Sequence, residues 1–179
     1  MKQTQVVILM GVSSTGKSSV GKAVADMLEM KFIDGDDLHP RANILKMASG
    51  KPLDDQDRLP WLERINDAAF ALRSKHESGI IICSALKRKY RDLIRQGNSG
   101  IIFLHLHANY DVILQRLLAR KGHFMKANML QSQYETLEEP QADETDVYAV
   151  NVDASFEEVC QQAKAVLEQI LQANAHNVQ

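Results

Sequence analysis

Long apolar runs are missing from this 179-residue chain. None approaches the ~20 residues that a membrane-crossing helix requires, so no membrane span is expected. An excess of charge of either sign is missing too. Lys and Arg total 21 against 23 Asp and Glu, a formal net charge of -2. That balance gives no global basic field to draw in nucleic acid or an anionic membrane surface, so any positive site must be built locally. Cysteine is scarce, with only Cys83 and Cys160. Both stand in apolar settings, which fits two buried thiols in a reducing compartment rather than a disulfide framework or a metal site. Internal repeats and low-complexity linkers are absent. Met1 to Gln5 lead into five apolar residues before a glycine, too short for a secretory signal, and the expected location is cytoplasmic.

What is present is ordinary globular composition, 45% hydrophobic and 25% charged residues. The length suits one α/β domain. Short apolar runs at Val6 to Met10, Lys31 to Ile33, Gly79 to Cys83, Ile101 to Leu106 and Val147 to Val152 read as strands. Several lack alternation, as strands covered on both faces do. Between them lie helical periods. Trp61, Leu62, Ile65, Ala69 and Leu72 share one face, with Pro60 placed at the first turn, and Phe156, Val159, Cys160, Ala163, Leu167 and Ile170 share another. Trp61 is read as a core residue. Strands alternating with helices imply a five-stranded parallel sheet with helices on both faces. Two polar stretches fit this rhythm poorly. Residues 34–60 follow the second strand and are read as a substrate-binding segment, because ligands gather at the carboxyl ends of parallel strands. Residues 121–146 are read as a mobile lid.

The strongest motif is Gly11-Val12-Ser13-Ser14-Thr15-Gly16-Lys17-Ser18, which satisfies G-x-x-x-x-G-K-[ST] between a strand and a helix. The glycines let successive backbone N–H groups curl toward phosphate oxygens, and the helix N-terminus adds partial positive charge. Lys17 is assigned to the β- and γ-phosphates of ATP and Ser18 to Mg²⁺, with Ser19 beside them. A GTPase would also carry N-K-x-D and D-x-x-G, and neither string occurs. A motor ATPase needs a larger body. A kinase remains.

On the acceptor side, Asp34-Gly35-Asp36-Asp37-Leu38-His39-Pro40 ends the second strand. In extended chain Asp34 and Asp36 face the same way. One is a candidate for Mg²⁺ and the other for the acceptor hydroxyl, with Asp36 preferred as base and Asp34 as alternative base and metal ligand. An acidic turn is the plain alternative. Arg58, Lys87 and His39 are candidates for a hydroxylated carboxylate substrate, since a carboxylate needs cations and hydroxyls need acceptors. Ser84-Ala85-Leu86-Lys87 replaces the Asp-Gly-aromatic-Pro-Arg run of nucleoside monophosphate kinases, and there is no Gly-Gly-Gly as in shikimate kinase. Arg116 and Arg120 are four apart on a helix and expected to act from the lid on the migrating phosphoryl group. His123 is a further substrate candidate, and Gly122 a hinge. His105 and His107 are read as sheet histidines.

These residues resemble the gluconate kinases, small P-loop kinases related to shikimate and adenylate kinases. The likeness runs from about Val6 to about Ile170. It rests on Asp34-Gly35-Asp36-Asp37-Leu38-His39-Pro40, Lys46-Met47-Ala48-Ser49-Gly50, Asp57-Arg58-Leu59-Pro60-Trp61-Leu62, Cys83-Ser84-Ala85-Leu86-Lys87, Tyr90-Arg91-Asp92 and Arg120-Lys121-Gly122-His123-Phe124. Ser14-Thr15 stands where the family often has Gly-Ser. The resemblance implies the three-layer P-loop kinase fold and transfer of the ATP γ-phosphoryl group to the 6-hydroxyl of D-gluconate. It also implies a requirement for Mg²⁺, a homodimeric state and an adenine site near Arg116 and Val152 to Ser155. The readings that compete with it are a kinase of another small hydroxylated acid, shikimate-like or idonate-like, and a non-catalytic ATP-binding module.

Overall fold

In the computed structural model, residues 3–120 and 127–177 are described. The chain alternates strand and helix. The order is β1 (Val6–Met10), α1 (Lys17–Leu28), β2 (Lys31–Asp34), a 3₁₀ turn (Gly35–Leu38), α2 (Arg41–Ala48), α3 (Asp55–Ser74) and β3 (Gly79–Ile82). It continues with α4 (Arg88–Arg95), β4 (Ile101–His107), α5 (Tyr110–Ala119), α6 (Ala127–Thr136), β5 (Val147–Asn151) and α7 (Phe156–His176). The five strands pair in parallel in the order β2-β3-β1-β4-β5.

All five residues of β1 are at most 1% exposed. Val7 and Leu9 enter one core with Val20 and Val24 of α1 and Leu167 of α7. Val6, Ile8 and Met10 enter the other, with Trp61 and Ile65 of α3 and Ile94 of α4. The two-residue period of a strand thus feeds two cores, which is why the run shows no polar alternation. Parallel pairing places the carboxyl ends of β1, β2 and β3 at one edge of the sheet.

The first polar stretch is more regular than its composition indicates. It contains the 3₁₀ turn, α2 and the start of α3. The inward residue of α2 is Asn43, while Ile44, Leu45 and Met47 are exposed. A helix anchored through a polar side chain has no apolar period to read. Helix α3 begins five residues before Pro60, because Asp54 and Asp57 form a reciprocal capping box. Pro60 therefore sits in the second turn, not the first.

Residues 127–146 likewise depart from an irregular lid. Helix α6 buries Leu130, and Tyr134 Oη donates to Ala108 O at 2.9 Å. The segment after it is anchored by Glu144, whose carboxylate takes Arg91 Nε at 2.7 Å and Arg95 at 2.8 Å. The rest of the expected lid, with Gly122 and His123, lies outside the described residues.

Candidate active site

The phosphate loop joins β1 to α1, and its shape is forced by near contacts. A Cβ on Gly11, at φ 142°, would stand 2.4 Å from Leu106 O. Gly16, at φ 88°, caps α1 in the left-handed region. Ser14 also takes a positive φ of 63°. Thr15 Oγ1 donates to Val12 O at 2.9 Å and fastens the loop across its base. Lys17 Nζ donates to Gly11 O and Val12 O, both at 2.8 Å. Burial pushes the Lys17 ammonium down to about 8, against the pull of Asp36 and Asp34. Phosphate charge beside it would raise that value again.

Two clefts flank this loop, and Arg120 borders both. The first, about 340 Å³, runs from Gly16 and Ser19 past Arg116 to Val152, Ala154 and Phe156. The second, about 390 Å³, joins Lys17, Ser18 and Arg120 to Asp36, Ser84 and Gln133. A polyphosphate held on the loop would have its nucleoside end in the first and its terminal phosphate in the second. The two arginines therefore separate. Arg116 donates to Val152 O and Ala154 O on the nucleoside side, while Arg120 alone of the pair reaches the transfer cleft. The expectation that both close on the migrating group is corrected: α5 ends at Ala119, and carbonyls of the 152–154 loop hold Arg116.

The two aspartates separate as well. Strand β2 stops at Asp34, and the 3₁₀ turn begins at Gly35, so the extended-chain argument that aimed them alike fails. Asp34 Oδ1 caps the turn by accepting from Asp36 N at 3.0 Å. Asp36 lines the transfer cleft. Its pKa is raised, first by burial, then by Asp34, with His39 and Lys17 opposing. A carboxylate shifted upward beside a reacting hydroxyl suits a general base. For Mg²⁺, the oxygen-bearing side chains lining this cleft include Ser18 and Asp36 beside Ser13, Ser14, Ser19, Ser84 and Gln133, with Asp36 the one carboxylate among the described residues of the lining. Among the described residues no three His, Cys, Asp or Glu side chains converge as a metal cage. That donor set fits a cation held chiefly by phosphate and water.

The turn that carries Asp36 is fixed from below. A Cβ on Gly35 would lie 2.0 Å from Ile82 O. Trp61 Nε1 donates to Gly35 O at 2.8 Å, and its ring stacks on His39 at 4.3 Å and 15°. Trp61 is buried as expected, yet it also shapes the site. Asn43 Nδ2 donates to His39 Nδ1 at 3.1 Å and to Asp57 O at 2.9 Å. That leaves the His39 proton on Nε2. The His39 pKa is lowered, mainly by burial, so the ring is a neutral donor at pH 7.

Arg58 and Lys87, 29 positions apart in sequence, meet at Tyr90 and Asp55. Arg58 Nη1 donates to Tyr90 Oη at 3.3 Å, and Lys87 Nζ lies 3.4 Å from Asp55 Oδ1. Tyr90 Oη and Lys89 also donate to Asp55. These contacts hold the Asp55 carboxyl well below its usual range, Lys89 contributing most. Arg58, Lys87 and His39 do not line the transfer cleft; His39 is tied to the turn that carries Asp36 through its stacking on Trp61. Sequence reasoning missed Asp55, Tyr90 and Gln133 as site residues. Tyr90 stood in a noted string without a role, Asp55 only within the 34–60 segment, and nothing local marks Gln133.

Both cysteines are buried and free, and burial pushes Cys83 up to about 12. His105 and His107 lie in β4, as read. Burial pushes His105 down to about 4. They border a cavity of about 430 Å³ with Glu139 and Glu144, which holds no phosphate-loop residue.

Residues 13–175 match the family model described as shikimate kinase. The chain is 56% identical over 154 residues to the thermoresistant gluconokinase of Escherichia coli K12, covering 86% of this chain and 88% of that one. The chain belongs to the gluconokinase family. The thermosensitive gluconokinase of the same organism is 52% identical over 165 residues, covering 90% and 88%. The crystal structure of a gluconokinase from Sinorhizobium meliloti 1021 superposes with a TM-score of 0.88 at 39% identity, covering 100% of both chains. Within the gluconokinase family, then, the five-stranded parallel P-loop fold is the shared frame.

Proposed function

We propose that this protein transfers the γ-phosphoryl group of ATP to the 6-hydroxyl of D-gluconate, giving 6-phospho-D-gluconate and ADP. The observation that carries the reading is the transfer cleft, which unites Lys17, Ser18 and Arg120 with Asp36 and Ser84. A group that binds triphosphate thus faces a carboxylate with a raised pKa. The names of the relatives support gluconate as the acceptor.

Lys17 and the N–H groups of Gly11 to Ser18 hold the phosphates, and the nucleoside lies between Arg116 and the 152–154 loop. Ser18 and Asp36 would hold Mg²⁺, which would supply charge neutralisation on the bound triphosphate. Arg58 and Lys87 hold the gluconate carboxylate, and His39 donates from Nε2 to a chain hydroxyl. Asp36 accepts the proton of the attacking hydroxyl. The bond from that oxygen to γ-phosphorus forms as the bond to the bridging oxygen breaks, and ADP leaves. Positioning and charge neutralisation supply most of the rate in such transfers. Asp34 orients Asp36 through the turn. We also propose a cytoplasmic homodimer acting as a single kinase domain in carbohydrate use.

ADP release measured with gluconate, idonate, shikimate and nucleoside monophosphates tests the substrate. Gluconate should have the highest kcat/KM; a lower rank would sink the assignment.

A further inference from the structure

Gln133 is the one transfer-cleft residue that comes from α6, 120 positions beyond its partner in the phosphate loop. Its Oε1 accepts from Ser13 N at 2.6 Å. Ser13 and Gln133 line the cleft that holds Asp36 and Lys17. Neither lines the cleft beside Arg116 and Val152. The contact therefore sits at the terminal-phosphate end of the loop and not at the nucleoside end.

Helix α6 is held so that this side chain must point at the loop. Leu130, three residues earlier, is fully buried. Tyr134, next in line, donates to Ala108 O at 2.9 Å and packs edge-on against Tyr110 at 5.4 Å. Beyond the helix, Glu138 N donates to Leu86 O at 2.8 Å, tying its end to the loop that carries Ser84 and Lys87. Positions 130, 133 and 134 share one helix face, and it is the packed face. The carboxamide offers one acceptor oxygen and an NH₂ group that can only donate. With the oxygen on Ser13 N–H, the donor end remains for oxygens in a cleft built to receive a phosphoryl group.

We propose that Gln133 is a further positioning residue for phosphoryl transfer. Its carboxamide oxygen fixes the Ser13 peptide at the γ-phosphate end of the loop and makes α6 part of the transfer machinery. This rests on the kinase reading above. It extends that reading to a helix with no motif.

The test compares Gln133→Met and Gln133→Glu with wild type, using Gln131→Met on the exposed face of the same helix as control. Readouts are kcat, Tm, and the affinities for ADP and a non-hydrolysable ATP analogue. Gln133→Met, close in volume but without the hydrogen bond, should lower kcat about tenfold while Tm and ADP affinity hold. Gln133→Glu keeps an acceptor for Ser13 N–H but brings a negative charge to the γ-phosphate. It should weaken the ATP analogue more than ADP. Wild-type kcat in Gln133→Met would overturn the proposal. So would losses of ADP and ATP-analogue affinity that are equal and track a fall in Tm, the signature of a packing role. The binding arms need no acceptor, so they judge Gln133 even if gluconate proves to be the wrong substrate.

Discussion

Lys17 and Asp36 both line the transfer cleft, and burial displaces both from their usual ranges. Lys17 stands near 8. It carries its charge below that pH and loses it above, so KM for ATP should rise as pH passes about 8. A flat KM between pH 7 and 9.5 would contradict this. Lys17→Ala should abolish turnover. As the proposed base Asp36 would act only when ionised, and its pKa is raised. The acid limb of kcat/KM should therefore lie above the ordinary carboxylate range. Asp36→Asn should remove that limb and lower kcat far more than it weakens ATP binding. Near-wild-type turnover in that variant would exclude Asp36 as the base. His39 gives no cationic contact at neutral pH, because burial lowers its pKa. In the proposed reaction its contribution would be a directed N–H, set by Asn43.

At the scale of elements, the 3₁₀ turn after β2 depends on α3 beneath it. Trp61→Phe keeps an aromatic ring for His39 to stack on, but removes the donor to Gly35 O. It should destabilise the fold by about 1–2 kcal/mol and raise KM for the acceptor more than for ATP. Thermal unfolding and a two-substrate kinetic analysis check both. The loop after β3 depends on α4 in the same way. Arg91, fully buried, donates to Ala85 O, Leu86 O and Glu138 O as well as to Glu144. These bonds hold Ala85 at a φ of 48°, a conformation that costs an alanine energy. Glu144→Ala leaves the Arg91 cation buried without its partner and should destabilise by about 3–5 kcal/mol. Hydrogen bonds from Arg91 hold Glu144 down to about 2, from an ordinary 4.5. Its folded pKa is thus depressed. The stabilisation is present above pH 4.5 and is lost as pH falls from there toward 2. Acid unfolding of Glu144→Ala should show a shallower pH dependence in that window.

At the scale of the whole molecule, the sheet separates two tasks. Helices α1 and α7 cover one face and α3 and α4 the other, and the proposed nucleotide and acceptor ends of the site share one edge of the sheet. The carboxyl ends of β1, β2 and β3 supply the loop, Asp36 and Ser84 respectively. Each strand thus delivers a different chemical part to one place. The proposed homodimer should sediment at twice the 20.1 kDa of the chain; a single monomer peak at working concentration would contradict it.

The phosphate loop, the five strands and the gluconokinase resemblance were all legible in the linear order of residues. Each depends on local patterning: glycine spacing, buried strand runs and contiguous strings. The separation of Asp34 from Asp36 was not legible, because it turns on where β2 stops and a 3₁₀ turn begins. Nor was the division between Arg116 and Arg120, which the carbonyls of Val152 and Ala154 decide from some 36 residues away. Asp55, Tyr90 and Gln133 gained their roles only through partners at separations of 32 to 120 positions. The sequence by itself determined that a P-loop kinase of this family folds here. The tertiary structure alone decided which side chains share the transfer cleft, because hydrogen bonds and packing act over a few ångströms of space, however far apart the residues lie along the chain.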